Sequence, residues 1–307
     1  MKIIKPKFFD NINIISCLLL PFSFLVLVIS KIKKISSKKN FKIKTICVGN
    51  IYIGGTGKTP LVIKINKILR KKYNTVFIKK YYPDQIDEQK LLKQNGKLIS
   101  TDYRENAIKI AEKNKYNLAI VDDGLQQKNM NYSISIVCFN SSAGIGNGFL
   151  IPSGPLRESI SEIKNYDAVF LNGEKENIKL KKIFKNINKN IKIFNAKYVV
   201  KNIKNFNLKK KYLFFCGLGN PDEFEKTLKK NKFRIKEKFI YPDHYKYLNK
   251  DISKLKNIAK NKNLEIITSE KDYLRLSKSN KKGIKFIKIE LKIKNYGNFL
   301  KFLNQNL

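Results

Sequence analysis

Tryptophan is absent from this 307-residue chain, histidine occurs once (His244), and arginine is confined to Arg70, Arg104, Arg157, Arg234 and Arg275. Acidic residues are also scarce, 24 Asp+Glu against 64 Lys+Arg, which gives a formal net charge of +40. The four cysteines, Cys17, Cys47, Cys138 and Cys216, lie far apart in apolar stretches and form no C-x-x-C pair. That pattern excludes a disulfide scaffold and fits a reduced cytosolic interior. A strongly basic chain invites a nucleic-acid reading. However, the positive charge is nearly all lysine and is spread along the whole length. No zinc-finger spacing, RNP-like aromatic motif or heptad-linked basic region accompanies it. The excess of Lys, Asn and Ile over Arg reads as codon bias and solvated surface, with some help for membrane contact, and no specific nucleic-acid partner is expected. Disorder is excluded as well, because 42 % of the residues are hydrophobic, with 15 Tyr and 20 Phe distributed throughout.

One uncharged stretch stands out. Residues 11–30 (NINIISCLLLPFSFLVLVIS) carry no charge and are followed by Lys31, Lys33, Lys34, Lys38 and Lys39. A spanning helix needs about 20 mostly apolar residues, and Asn11, Asn13, Ser16, Pro21, Ser23 and Ser30 interrupt this one. No A-x-A-like cleavage site follows it. The reading is a helix over 12–29 that lies in or dips into a bilayer, its lysines meeting anionic headgroups; a buried core helix is the alternative. Beyond Lys44 the pattern alternates between strand and helix. Thr45–Val48, Asn74–Ile78, Asn117–Val121, Ser133–Phe139 and Asp167–Leu171 read as buried strands. Leu61, Val62, Ile65, Ile68 and Leu69 recur at helical spacing over 58–72. The Lys/Asn-rich stretch 174–192 reads as a surface helix or connector. A second cycle begins at Lys211–Pro221 and continues through Glu265–Asp272 and a strand Lys285–Glu290 to a C-terminal amphipathic helix. The order predicts right-handed βαβ units and two α/β lobes.

Between the first strand and its helix lies Gly54–Pro60, GGTGKTP. Glycines here let backbone N–H groups wrap a phosphate without Cβ clashes, and the helix N-terminus adds positive potential. Gly54, Gly55, Thr56 and Gly57 are the candidate cradle, Lys58 would reach the β- and γ-phosphates, and the Thr59 hydroxyl would hold Mg²⁺. Pro60 falls in the first helical turn, where its missing N–H costs little. The strict G-x-x-x-x-G-K-[ST] spacing is not met, since Tyr52 occupies the place of the first glycine. A phosphate loop needs an acidic residue at the end of a neighbouring strand, and Asp122 and Asp123 of VDDG follow the buried run NLAIV. His244 and Arg157 have functional and purely structural readings of equal weight. The histidine is the one side chain suited to proton chemistry near neutrality, and the arginine follows a rigid Gly-Pro turn fit to clamp an anion.

In order and spacing, VGNIYIGGTGKTP, VDDGLQQ, IPSGPLRE, CGLGNPDEFEKTL, YPDHYKY and TSEKD resemble the signature segments of the tetraacyldisaccharide 4′-kinase family. The resemblance implies a P-loop NTPase-like α/β/α domain over 41–195, a smaller α/β domain over 196–307 and a membrane-associated N-terminal segment over 1–40, with the active site in the cleft between the domains. It implies transfer of the γ-phosphate of Mg-ATP to the 4′-hydroxyl of a tetraacyl glucosamine disaccharide 1-phosphate, forming lipid IVA in lipid A synthesis. The expected partners are that lipid and the cytoplasmic leaflet of the inner membrane, with a monomeric chain. By the same resemblance Lys58 and Thr59 match the P-loop pair and Asp122 and Asp123 the acidic pair near the metal. Arg157 and Glu158 match a pair near substrate and metal, Asn220 and Gln126 match substrate-side positions, and His244 matches a histidine supporting a catalytic aspartate. Two departures touch the substrate side. Lys79-Lys80-Tyr81-Tyr82 stand where the family has S-R-G-Y-G, and Gln127 replaces a usual histidine. In the shortened loop that follows, Asp87 aligns best as the catalytic base, with Asp84 as the fallback. A membrane-associated switch ATPase and a basic binding module with a dead nucleotide site are the competing classes. The absence of an N-K-x-D segment counts against GTP, and the intact GKT and acidic pair count against decay.

Overall fold

The computed structural model describes residues 6–32 and 37–307. In chain order the elements are helices α1 (Ile14–Leu18) and α2 (Leu20–Ile32), strand β1 (Lys44–Gly49), α3 (Lys58–Leu69), β2 (Thr75–Lys80), α4 (Ile86–Asn95), β3 (Leu98–Thr101) and α5 (Arg104–Lys113). There follow β4 (Leu118–Asp122), β5 (Ile134–Asn140), β6 (Ala168–Asn172), α6 (Ile178–Ile187), β7 (Lys192–Val200), β8 (Lys211–Cys216), α7 (Pro221–Lys230) and β9 (Arg234–Ile240). The last are α8 (Asn249–Asn261), β10 (Glu265–Ser269), α9 (Glu270–Arg275), α10 (Lys278–Lys281), β11 (Ile284–Ile287), β12 (Ile289–Ile293) and α11 (Tyr296–Gln305). They form two compact units, each discontinuous in sequence.

The larger unit is built on an eight-stranded sheet of order β12-β7-β6-β5-β1-β4-β2-β3. Strand β1 lies parallel between β4 and β5, with Val48 level with Asp122 and with Ile136. Buried on both faces, β1, β4, β5 and β6 read as unbroken apolar runs, as central parallel strands must. Helix α3 buries Leu61, Val62, Ile65 and Leu69. It ends at Leu69, three residues short of the expected 72, where Arg70 serves as its C-cap. The stretch 174–192 is resolved into α6, whose Phe184 packs on Phe139 of β5 at 4.7 Å between ring centroids. The smaller unit has a parallel four-stranded sheet of order β11-β10-β8-β9. Tyr212, Phe214, Phe224 and Ile267 fill one face, and Leu213, Phe215, Ile252 and Leu255 the other.

The structure corrects the sequence reading in three places. The helix expected over 12–29 is two helices that break at Leu19. Asn13 and Ser16 form a reciprocal capping box at the start of α1. Pro21 falls at the second position of α2, where no intrahelical N–H is required. Ser23 is buried and donates to the Leu150 carbonyl at 2.7 Å, with its Oγ 2.8 Å from the Ser153 hydroxyl, so the polar interruptions cap and tether the helices. The expected strand Lys285–Glu290 is divided between the two sheets. Lys288 leaves the ladder, its N–H donating to Asn202 Oδ1 and its carbonyl accepting from Lys201 N.

The domain boundaries differ as well. Residues 82–94 belong to the smaller unit, because Asp87, Glu88 and Lys90 on α4 are tied to Arg275, Lys271 and the Leu274 carbonyl. Residues 291–307 belong to the larger unit, because Phe299 packs against Phe170 and Phe194 at 5.8 and 4.9 Å. Phe299 is fully buried, so Phe299→Ala is expected to lower the stability of the chain by about 3–5 kcal/mol, measured as a fall in the denaturant midpoint of the larger unit.

Candidate active site

Two clusters of polar side chains, one in each unit, hold most of the residues singled out from the sequence. In the larger unit the loop after β1 carries Gly54 at φ 104° and Gly57 at φ 91°, the left-handed region that a side chain would strain. Gly57 is the N-cap residue of α3, which aims the helix's first, unpaired N–H groups at the loop. Lys58 Nζ lies 2.8 Å from Asn50 Oδ1 and 3.0 Å from Asp123 Oδ1. Arg157 Nη1 donates to the same Asn50 oxygen at 2.8 Å and lies 3.2 Å from Asp123 Oδ1. Gln126 Nε2 donates to the Asn50 carbonyl at 2.7 Å. Asn50 therefore gathers three of the expected residues, Lys58 and Arg157 on its side-chain oxygen and Gln126 on its backbone carbonyl.

The acidic pair divides its work by geometry. Asp122, the last residue of β4, is wholly buried, and its Oδ2 accepts from Thr59 Oγ1 at 3.2 Å and lies 3.1 Å from Lys79 Nζ. Parallel pairing places Lys79 of β2 level with Asp122. Asp123, one step beyond the strand, turns out at φ 60°, a conformation Asp tolerates better than most residues. Burial opposes its ionisation, but the charges of Lys58 and Arg157 prevail and lower its carboxyl to about 2. Thr56 Oγ1, Asp122 Oδ1 and Gln126 Oε1 are buried and have no hydrogen-bond partner among the described residues. Glu158 is held elsewhere, its Oε2 accepting from Lys128 Nζ at 2.9 Å and from the Tyr166 hydroxyl at 3.0 Å. Among the described residues no group of three His, Cys, Asp or Glu side chains is arranged to hold a metal. A magnesium ion here would depend on Thr59, Asp122 and phosphate oxygens, the sparse protein ligation that suits this ion.

In the smaller unit, Asp87 sits in the first turn of α4 and is almost fully buried. Its Oδ1 is 3.0 Å from His244 Nδ1, and its Oδ2 accepts from Arg275 Nη2 at 2.7 Å. Burial works against the Asp87 anion. The His244 hydrogen bond and the Arg275 charge outweigh it and hold the carboxyl well below the usual carboxylate range. His244 occupies a left-handed position, φ 55°, in the YPDHY turn. Glu88 pairs with Lys271 at 2.5 Å, and Asp84 is exposed in the turn before α4. Asn220 caps α7, its Oδ1 accepting from Glu223 N at 3.2 Å with Pro221 at the first helical position. Sequence reading passed over Asn50, Lys79 and Arg275. The first stood in plain view beside the glycine loop, in VGN. The other two are marked only by the partners that tertiary structure supplies.

Three comparisons bear on this arrangement. The family model described as tetraacyldisaccharide-1-P 4′-kinase matches residues 15–307. The tetraacyldisaccharide 4′-kinase of Pelagibacter ubique (strain HTCC1062) is 50 % identical over 312 residues, covering 99 % of each chain. That of Rickettsia canadensis (strain McKiel) is 34 % identical over 315 residues, covering 96 % of this chain and 95 % of the relative. A crystal structure of LpxK from Aquifex aeolicus in complex with ATP superposes with a TM-score of 0.72 at 20 % identity, over 95 % of this chain and 99 % of that one, a likeness of fold. The resemblance carried by the six motifs is thereby borne out, and the chain belongs to the tetraacyldisaccharide-1-P 4′-kinase family.

Proposed function

We propose that this kinase transfers the γ-phosphate of ATP to the 4′-hydroxyl of a tetraacyl glucosamine disaccharide 1-phosphate, yielding lipid IVA for lipid A synthesis. The observation that carries the site-level reading is the convergence of Lys58, Thr59, Asp122 and Asp123 where β1 and β4 end, the edge at which open α/β sheets bind ligands. The partnerless Asp122 Oδ1 and Thr56 Oγ1 are the kind of buried atoms a bound nucleotide and its metal would satisfy. Mg²⁺ fits this donor set, with Thr59 and Asp122 to hold it, and supplies charge neutralisation at the phosphates when bound.

The chain's own residues divide the remaining work. The N–H groups of the glycine loop and of the first turn of α3 bind the phosphates. Lys58 exchanges its present contacts with Asn50 and Asp123 for phosphate oxygens, and Asn50 holds Arg157 in reach of the same charge. The Asp87–His244 pair takes the proton of the acceptor hydroxyl, and ADP leaves as that oxygen bonds to phosphorus. A low carboxylate pKa is compatible with this role, because in a loose transition state the proton departs late. Glu158, Asn220 and Gln126 are proposed on the lipid and metal side.

Membrane attachment is proposed through α1 and α2, which expose Ile14, Leu18, Phe22, Phe24 and Leu25 to solvent. Among the described residues no helix is long and apolar enough to cross a membrane. The 13 residues of α2 reach about 20 Å at roughly 1.5 Å per residue, short of a hydrocarbon core of about 30 Å. The pair is suited to lie in the interface on the cytoplasmic side; Lys33 and Lys34, two of the lysines expected to meet anionic headgroups, lie outside the described residues.

The direct test is transfer of labelled γ-phosphate from Mg-ATP to detergent-dispersed tetraacyl disaccharide 1-phosphate. Lys58→Ala is expected to lower turnover by about 10²–10³-fold, and Asp87→Ala by about 10²–10⁴-fold. ATP consumed without phosphorylated lipid would overturn the acceptor. In vesicle co-sedimentation with anionic lipid, the double change Phe22→Glu and Leu25→Glu is expected to release the protein while leaving turnover on detergent-dispersed substrate within about two-fold. Retention on vesicles would move the membrane contact away from α2.

A further inference from the structure

We infer that Arg275 is a positioning residue for the Asp87–His244 pair: it grips Asp87 Oδ2, reserves Oδ1 for His244, and keeps the pair from being protonated as the pH falls. The inference rests on the proposed proton-accepting role of that pair. Its starting point is the division of the Asp87 carboxylate between two donors, His244 Nδ1 at 3.0 Å on one oxygen and Arg275 Nη2 at 2.7 Å on the other. A planar guanidinium held from behind can do this without swinging onto both oxygens. Arg275 is held in that way. Its Nη1 donates to the Gly217 carbonyl and to Asp272 Oδ1, both at 2.8 Å. Asp272 is itself locked by the Gly217 N–H, the Tyr247 hydroxyl and Ser269 Oγ. Arg275 and Asp87 are both buried, with side-chain exposures of 7 % and 1 %, so solvent screens their interaction little.

The charges around the pair fix the sign of the effect. Glu88 lies 4.0 Å from His244 Nε2 and Asp243 lies 3.8 Å from it; Asp272 stands behind Arg275, and Tyr247 is neutral near neutral pH. The cations are Arg275 and Lys271, and Lys271 is paired with Glu88. Removing the guanidinium charge therefore leaves Asp87 and His244 facing an excess of negative groups. Both hold protons more tightly in that field, and as a coupled pair they titrate together at a higher pH. The acid limb of turnover then moves upward.

The test uses the untagged full chain, in which His244 is the sole histidine and gives one set of ring signals in NMR. Arg275→Gln, which keeps hydrogen-bonding capacity without charge, is expected to raise the acid limb of kcat and the His244 titration midpoint by about one pH unit. That is a tenfold loss below the limb with little loss on the plateau. Arg275→Lys keeps the charge on a shorter reach, so its limb and midpoint are expected to fall between those of the wild type and Arg275→Gln. KM for ATP is expected to stay put in both. An equal loss at every pH with an unmoved His244 midpoint would reduce Arg275 to a structural role and overturn the inference. If Arg275→Gln does not fold, the Arg275→Lys midpoint decides alone, an unmoved one counting against the inference. A wild-type chain that phosphorylates no lipid would defeat the functional reading instead, while the His244 midpoint still reports on Arg275.

Discussion

A carboxylate without solvent is costly unless its charge is met by fixed partners, and Asp122 is such a group. Lys79 Nζ and Thr59 Oγ1, at 3.1 and 3.2 Å, meet it from two different elements. Much of the larger unit's order follows from satisfying that one side chain. Strand β2 has to pair with β4 so that Lys79 comes level with Asp122, and β4 has to pair with β1 so that the acid emerges beside the glycine loop. Helix α3 has to begin at Lys58 so that its second residue faces the carboxylate. Asn50 performs a matching service for the cations, collecting Lys58 and Arg157 on one amide oxygen.

The smaller unit repeats the logic with the signs redistributed. One arginine is shared between two buried acids, Asp87 and Asp272, and the aspartate nearer the histidine receives only part of its charge. A shared cation is a compromise between anchoring and reactivity. Full neutralisation of Asp87 would leave it inert, and none would leave it protonated in its buried setting.

How much of this was legible in the sequence depended on how local each signal is. The apolar runs of β1, β4, β5 and β6 and the glycine loop announce themselves, because burial on both faces and close backbone approach each demand particular residues in a row. Strand β9, half-exposed along its length, and β3, with no fully buried residue, lack such a run, and β7 is mostly partly buried, its apolar residues interrupted by Asn195 and Lys197. The division at Lys288 rests on Asn202, 86 residues away, and no window of sequence contains both. His244 stood out as the sole histidine, but Asp87 and its pairing with His244 came through family resemblance, since nothing near either in the chain predicts a partner 157 residues distant. Lys79 looked like a departure from the family pattern, whereas in the folded chain it is the counter-ion of the acid after β4.

The discontinuity of the two units sets a timetable for synthesis. Strands β1 to β6 can pair with one another once residue 172 has left the ribosome, since their mutual partners all lie within residues 44–172. The edge of the large sheet and the aromatic packing of Phe299 on Phe170 and Phe194 come from residues 291–307. Helix α4, made early, has to wait for α9 before Asp87 and Glu88 find Arg275 and Lys271. A nascent chain halted near residue 200 would thus hold most of a nucleotide-binding sheet together with a helix whose Asp87 and Glu88 lack Arg275 and Lys271. Neither unit closes until nearly the whole polypeptide has been made.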